Sequence, residues 1–439
     1  MSLAEAVALG LRDNRTIRSA YLERVAQKFD LVVARSQYLP RLNLVGGVFR
    51  DRIAGTTSTT TTLAPVGTWL SPTGATAQFS WAKAETRGDL RGTTETSRLT
   101  VTQPLLRGAG LAVNLAPLRI ATLQEQINQL QLKATVADTV TAIVLGYRSL
   151  LQAQEQVRLA RSSLERSTSL LATNQALIDA GRMAAADILQ TRADVASQQL
   201  VLIQAEQQRA TARLALLRLL ALDLRTNIVA ADPIEPQPVV IDLSEVIALA
   251  LSSRMDVLAQ RKALAQDREV VRVARNNRLW DVSVVASVRH DATTGAAAAL
   301  AQTSSEVGVQ LSIPLGDYSK RQEDIRATTS LRVDEVRLED LGQAVEAEVR
   351  DAVQGVDAAW RQLLAAREAR ALASQALGFA REKLQAGRAS NFEVLSFEAG
   401  LRAAENQELA AGVGYLNALT TLDQQVGGTL ATWRIDLND

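Results

Sequence analysis

The chain has 439 residues and a formal net charge of +1, and 47% of its residues are apolar although only 4% are aromatic. A near-neutral charge gives no electrostatic basis for binding nucleic acid. The absence of cysteine and the single histidine exclude disulfides, thiolate metal sites and His-rich metal sites.

The chain begins MSLAEAVALG, which has neither the basic region nor the apolar region of a signal peptide. No run of 18 apolar residues occurs either, so we expect no membrane-spanning helix. Two readings follow: a cytosolic protein, or a sequence that starts after its leader.

The same order of parts occurs twice along the chain. LAEAVALGL at 3–11 matches LSEVIALAL at 243–251, and AGRMAAADIL at 180–189 matches AGRASNFEVL at 386–395. Each repeat is predicted to contain a helix, a strand pair and a long helical hairpin. The predicted boundaries are 1–231 for the first repeat, 232–241 for a Pro-rich linker and 242–439 for the second repeat.

Four alternating segments are predicted as strands. Leu42, Leu44 and Val48 fall on one face of the first, and the segment lengths are close to the 9–11 residues of a tilted transmembrane strand. A soluble antiparallel sheet with one wet face would alternate in the same way. The Thr-, Gly- and Pro-rich segment 54–78 is expected to be an exposed loop. The predicted strands are 42–53, 95–105, 281–291 and 305–315.

A long helix is predicted from Leu115 to Asp179, because apolar residues recur every three or four positions along it. Its length of about 100 Å at 1.5 Å per residue suits a coiled-coil hairpin or a helical barrel. Gln154 interrupts the apolar line, which we expect to continue at Leu164 and Leu171. The preceding members of this line are Val136, Val140, Ile143, Tyr147 and Leu150.

Four strands cannot close into a barrel, and open sheet edges cannot lie in lipid. If the strands are transmembrane, several chains must therefore contribute to one barrel. Three copies of four strands would give twelve, an even number within the usual range.

The duplicated order of parts resembles the TolC-type outer membrane efflux proteins. The stretches that carry the resemblance are LAEAVALGLRDN, ARSQYLPRL, VTQPLLRGAG, DAGRMAAADIL, QAGRASNFEVL and YLNALTTL, and the resemblance extends over essentially the whole chain, from residue 3 to residue 430. The resemblance implies a mixed α+β membrane protein: a homotrimer with a 12-stranded β-barrel in the outer membrane and an α-helical barrel in the periplasm.

The resemblance also implies a passive exit duct that works with a periplasmic adaptor protein and an inner membrane pump. Such a duct has no enzymatic activity and no cofactor, and it exports small molecules or proteins. A coiled-coil scaffold or tether without channel activity is the alternative interpretation. Duplicated hairpins of membrane length argue against that alternative.

The two Ala-Gly-Arg turns would be the periplasmic hairpin tips. Gly181 and Gly387 can adopt positive φ and end the incoming helices. With Arg182 and Arg388 they are predicted to form the adaptor-docking surface, where the arginines could instead pair with acids of neighbouring subunits.

By resemblance, Glu393 is the candidate for a carboxylate ring that narrows the pore. Asp187 holds the matching place in the first tip, and Ser396 stands where some members have a second acid. Both acids could instead cap helices, since Ser390 and Glu393 form an S-x-x-E box.

Tyr38 and Trp280 stand at the predicted strand entries. Aromatic side chains collect at membrane interfaces, although core packing at a helix–strand junction would explain them as well.

Overall fold

The computed structural model describes residues 1–89, 91–295 and 299–437. The predicted second repeat, 242–439, thus includes residues 296–298 and 438–439, which lie outside the described residues. The helices are α1 (Leu3–Asp13), α2 (Arg15–Ser36), α3 (Leu111–Asn114), α4 (Ala116–Asp179), α5 (Ile188–Leu219), α6 (Leu243–Ser253), α7 (Met255–Asn277), α8 (Ser319–Gln385), α9 (Asn391–Val426) and α10 (Thr429–Thr432). The strands are β1 (Arg41–Ile53), β2 (Thr56–Leu70), β3 (Thr76–Gly88), β4 (Gly92–Pro104), β5 (Asp281–Gly295) and β6 (Ala299–Ser312).

The chain divides into two compact units. One unit holds Met1–Glu23, Leu130–Leu258 and Asp340–Asp439, and we call it the helical unit. The other holds Arg24–Gln129 and Ala259–Glu339, and we call it the sheet unit because it contains every described strand.

The sheet unit carries one antiparallel sheet with the strand order β1-β2-β3-β4-β5-β6. The prediction of four strands per chain was therefore wrong, and so was the direct pairing of segment 42–53 with 95–105. The segment 54–78, which we expected to be a loop, contains all of β2 and the start of β3. Threonine is β-branched and fits a pleated, half-buried surface, so a Thr-rich run can form a strand as readily as a loop.

Pro65 lies inside β2, where a missing N–H would ordinarily break a ladder. The ladder accommodates it: β2 and β3 pair at Leu63–Lys83 and again at Val66–Ser80, and the register passes over Ala64 and Pro65. On its other side Pro65 lies opposite Leu44 of β1.

The two faces of the sheet differ in chemistry. Because successive side chains alternate between faces and the strands are in register, Leu44, Leu63, Phe79, Leu99 and Val288 share one face, which we call the apolar face. The opposite, polar face carries mostly hydroxyl, amide and charged groups. Many large side chains of the apolar face are exposed, among them Leu42, Leu44, Val48, Trp69, Phe79, Leu99, Val288, Val307, Val309 and Leu311. Trp81, Val282 and Val284 of the same face are half-buried.

In the helical unit the predicted apolar line along α4 is confirmed. Val136, Val140, Ile143, Tyr147 and Leu150 are all at most 1% exposed. They pack with α1 and α5 in one cluster, which we call the apolar core. Other members of this cluster include Ala6, Val7, Ala212, Leu216 and Leu220.

The interruption at Gln154 has a structural reason. Its side-chain amide donates to the carbonyl of Ala230 over 3.1 Å, and its side-chain oxygen accepts from the N–H of Ala230 over 2.9 Å. Both polar groups are thus paired, and Gln154 ties α4 to the segment that leads into the linker. Tyr147 does the same nearby, because its hydroxyl lies 2.7 Å from the Asp232 carboxylate.

Candidate functional site: the hairpin tips

The two turns that join the long helices have the same backbone geometry. Gly181 and Gly387 have φ values of +68° and +69°, so the predicted left-handed glycines are confirmed. At the first tip the Gly181 N–H donates to Ile178 over 2.9 Å, and the Arg182 N–H donates to Leu177 over 2.8 Å. This pair of bonds is a Schellman motif, which satisfies the last carbonyls of the helix.

The second tip repeats this motif with the same lengths. The Gly387 N–H donates to Leu384 over 2.9 Å, and the Arg388 N–H donates to Lys383 over 2.8 Å. The sequence repeat at the tips is therefore a repeat of one backbone turn.

The two candidate acids differ in their surroundings. The Glu393 N–H donates to the Ser390 hydroxyl over 3.2 Å, so Ser390 caps α9, which is one half of the predicted S-x-x-E box. Asp187 precedes α5 with helical backbone angles and makes no side-chain capping bond, so its predicted role as a cap was wrong. A residue with helical φ and ψ points its side chain away from the amides that a cap must reach. Asp187 and Ser396 are exposed, and Glu393 is half-buried.

The tips of the two hairpins contact each other directly. The Arg182 guanidinium donates to the carbonyl of Gln385 over 3.2 Å, and the Asn391 amide donates to the carbonyl of Asp187 over 3.3 Å. A groove of about 340 Å³ lies between the tips. Arg388 is exposed, as are the apolar side chains of Leu189 and Phe392. The tips therefore offer both cationic and apolar groups to solvent.

A buried hydrogen-bonded triad lies directly behind the tips. The Asn174 amide donates to Thr191 and to Asn391, over 2.7 Å in each case. Asn174 and Thr191 are 0% exposed, and Asn391 is 4% exposed. The triad thus joins three helices, α4, α5 and α9, through groups that have no access to water.

Charged groups continue this buried polar arrangement away from the tips. Glu398, on α9, is fully buried and accepts from Arg381 of α8 and, over 3.2 Å, from Arg166 of α4. Arg166 also pairs with Glu405 over 3.0 Å. These ion pairs join helices from both hairpins. With the triad, Ser167 and Asp194, they form what we call the polar tip core.

Asp194 and Ser167 complete this set. Asp194 accepts from Arg402 over 3.1 Å and from the Ser167 hydroxyl over 2.5 Å. The apolar line of α4 was predicted to continue at Leu164 and Leu171, and that prediction was wrong. The buried positions are instead Ser163, Ser167, Leu170 and Asn174. A search for apolar residues alone cannot follow a buried helix face once that face becomes polar.

Comparison with known proteins decides the family. The family model described as outer membrane efflux protein matches residues 8–222 and 246–428. The chain belongs to the outer membrane efflux protein family. Members of this family are transport conduits and not enzymes. No curated protein sequence matches the chain.

Solved structures of outer membrane channels share the fold of this efflux protein. The Campylobacter jejuni channel CmeC has a TM-score of 0.75 at 15% identity, over 97% of this chain and 86% of that chain. The open state of the Neisseria gonorrhoeae channel MtrE has a TM-score of 0.75 at 16% identity, over 98% and 89%. VceC of Vibrio cholerae has a TM-score of 0.73 at 15% identity, over 97% and 96%.

Among the described residues of this efflux protein, no helix has both the length and the apolar character needed to span a membrane.

The aromatic residues at the strand entries lie where the sequence placed them. Trp280 immediately precedes β5 and is 57% exposed, and Tyr38 lies three residues before the start of β1. Sequence reasoning missed a third member, Trp69, whose indole N–H donates to the Tyr38 carbonyl over 3.1 Å.

Proposed function

We propose that this efflux protein is the exit duct of a tripartite efflux or type I secretion system. In this proposal its sheet lies in the outer membrane, and its helical hairpins form a tunnel in the periplasm. The duct itself is passive, and an inner membrane pump selects the exported small molecules or proteins.

The apolar face of the sheet is the observation that carries this proposal. A soluble protein rarely exposes an apolar patch of more than a few hundred Å², whereas a transmembrane barrel needs an apolar band about 25 Å tall. Leu42 and Val48 mark such a band on β1, since the six residue steps between them at about 3.3 Å each span about 20 Å along the strand. Tyr38, Trp69 and Trp280 lie beside the strand ends, where an aromatic girdle belongs.

The edges of the sheet support an assembly of several chains, and we propose a homotrimer. β1 and β6 are the outermost strands of the sheet order, and a strand edge cannot lie in lipid with its backbone groups unpaired. In the proposed assembly β6 of one subunit pairs with β1 of the next, which closes the barrel and brings six hairpin tips together.

The tips are proposed to form the adaptor-docking surface and the pore constriction. Their exposed groups, Arg182, Arg388 and Phe392, suit an adaptor that offers carboxylates and apolar side chains. Three copies of Glu393 around the axis would attract cations and repel anions.

Light scattering on the purified protein in detergent tests the assembly. We expect a mass of three times 47.3 kDa and loss of solubility when the detergent is removed. A monodisperse monomer that stays soluble without detergent would contradict the proposal and favour the coiled-coil scaffold.

A further inference from the structure

The hairpin formed by β2 and β3 occupies the interior of the sheet. β2 pairs with β1 from Thr56–Ile53 to Thr68–Arg41, and β3 pairs with β4 from Thr86–Gly92 to Thr76–Thr102. Both ladders run over nearly the whole length of the strands. β1 and β4, which would be neighbours if residues 54–91 formed an external loop, are separated by two full-length strands.

The hairpin also continues both faces of the sheet. Leu63 and Phe79 lie in register with Gly46 and Leu99 on the apolar face. The polar face of the hairpin carries the hydroxyl groups of Ser58, Thr60, Thr62, Thr68, Thr76, Ser80 and Thr86. The apolar face carries Leu63, Trp69, Phe79 and Trp81 in the half near Leu70 and Thr76, and polar groups such as Thr59, Thr61 and Glu85 in the half near Thr56 and Gly88. A strand in a barrel wall must meet lipid on one side and water on the other, whereas an external loop has no reason to alternate in this way.

Neighbouring strands of the sheet are staggered along their axes by an amount that suits closure into a barrel. From Arg41 of β1, successive partners across the sheet lead to Glu306 of β6, which is six positions before Ser312, where β6 ends. This is about one residue of stagger per strand. The same ratio in a barrel of eight strands with shear eight gives a tilt of about 36°, within the 35–45° of outer membrane barrels.

We propose that the β2–β3 hairpin is inserted into the barrel wall, so that three copies of this six-stranded sheet close a barrel of eighteen strands. The proposal rests on the proposed function, which supplies the membrane and the trimer. Barrel diameter grows roughly linearly with strand number, so the lumen is about 1.5 times as wide as that of twelve strands. Barrels of 16–18 strands enclose an aqueous channel, so the exit suits large hydrated polar cargo.

Paired cysteines test whether the hairpin lies in the wall, and the chain has no cysteine of its own to interfere. Val45→Cys with Ala64→Cys joins β1 to β2, and Ala82→Cys with Thr96→Cys joins β3 to β4. Directly opposite residues have Cα atoms about 4.5–5.5 Å apart, within the range for a disulfide. We expect both double variants to cross-link within one chain under mild oxidation in outer membrane vesicles.

The control pair joins the strands that a twelve-stranded barrel would make neighbours. Val45→Cys with Thr100→Cys lies three strand spacings apart here, which is at least about 14 Å, so no cross-link is expected. If this pair links in a trimer and the other two do not, the hairpin is an external loop and the eighteen-stranded barrel is wrong, while the exit duct stands. A dimer by light scattering would supply twelve strands from two chains and overturn both proposals. A soluble monomer would likewise overturn both proposals.

A deletion variant measures the width. Residues 54–91 are replaced by Asn-Gly, a two-residue hairpin turn that lets β1 pair with β4. Polyethylene glycols of graded size are then added on the barrel side of single channels in planar bilayers. We expect the radius of the largest polymer that enters the intact protein to be about 1.5-fold that for the deletion variant. Equal cut-off radii in two trimeric channels would overturn the proposal, and the cysteine pairs decide the question if the deletion variant does not fold.

Discussion

The apolar core and the polar tip core lie in the same helical unit, yet they hold their helices together by different means. Around Tyr147 and Leu216 the buried side chains are nearly all apolar. Around Glu398 and Asn174 polar and charged groups are interleaved with a smaller apolar cluster that includes Leu384 and Val394.

The difference matters because the two kinds of contact respond differently to separation. Apolar packing is non-directional and is lost in proportion to the area exposed to water. Buried hydrogen bonds and ion pairs specify one arrangement, but much of their energy is recovered from water once the groups become exposed. We infer that the helices around the apolar core stay packed permanently. The polar tip core specifies one arrangement of its helices, and that arrangement is reversible.

The largest effect is expected in the apolar core. Leu216→Ala removes a side chain that is 0% exposed, and the lost transfer energy plus the cavity should lower the free energy of unfolding by about 2–5 kcal/mol. Chemical denaturation of the detergent-solubilised protein measures this loss. The matched control is Leu224→Ala, at a 54% exposed position, where about 0.5 kcal/mol or less is expected. Equal losses at the two sites would remove the distinction between core and surface.

A somewhat smaller effect is expected at the centre of the polar tip core. Glu398→Ala leaves Arg166 and Arg381 without their shared carboxylate, which should cost about 2–4 kcal/mol. The loss stays below that of a fully buried pair because Arg381 is 40% exposed and Arg166 keeps Glu405. Thermal unfolding measures it. Glu382→Ala, at an exposed site, is the control. Adding Arg166→Met and Glu405→Gln to Glu398→Leu removes the buried charges together and should recover part of the stability, and no recovery would contradict the account.

The buried triad should show an intermediate effect. Asn391→Ala leaves the Asn174 amide without one partner, and an unsatisfied buried group costs about 1–3 kcal/mol. The same thermal measurement applies. Replacing Asn174, Thr191 and Asn391 together by apolar residues of similar size should cost less than Asn391→Ala alone. A triple variant that is much less stable than the single variant would mean that the triad stabilises the tips outright.

Neutralising one member of a like-charge pair in the sheet unit should raise the stability, whereas replacing Glu398 should lower it. Burial, together with the neighbouring Asp334, raises the pKa of Asp267 from 3.8 to about 6. The folded state therefore holds a proton that the unfolded state releases, so the stability from this group is complete below pH 3.8 and is lost as the pH rises through 6. Asp267→Asn should raise the thermal midpoint by a few degrees at pH 7.5 and leave it unchanged at pH 3.5. A gain of equal size at both pH values would exclude titration of this pair.

The smallest effect on stability is expected at the tip itself. Glu393→Ala keeps the backbone N–H that Ser390 caps, so the free energy of unfolding should change by about 0.5 kcal/mol or less. If three Glu393 side chains narrow the pore, single-channel conductance should rise in this variant. Unchanged conductance together with a lower thermal midpoint would assign Glu393 to helix capping instead. For the thermal midpoint, the matched control is Asp187→Ala, which removes an exposed acid without a capping bond.

Much of the architecture could be read from the sequence because it depends on local periodicity. The spacing of Val140, Ile143 and Tyr147 specifies a buried helix face whatever packs against it. Gly181 and Gly387 end their helices in the left-handed region because only glycine adopts it without steric cost. The alternation of Leu42, Leu44 and Val48 defines the apolar face of β1 in the same local way.

The polar parts of the structure escaped prediction because hydrophobicity patterns do not mark a polar group that is buried. Ser167, Asn174 and Glu398 look like solvated helix residues until the partner helices bring Asp194, Thr191 and Arg381 against them. Gln154 looked like a break in the helix face until the backbone of Ala230 was found beside it.

By itself, then, the sequence determined the duplicated helices and strands and the two tip turns. It also determined the apolar face of the four strands that were predicted, which correspond to β1, β4, β5 and β6. Only the tertiary structure decided that Thr56–Leu70 and Thr76–Gly88 enter the sheet as β2 and β3. Threonine suits a strand and a loop almost equally, so what places this hairpin in the sheet is the pairing of its backbone N–H and C=O groups with β1 and β4, residues distant along the chain.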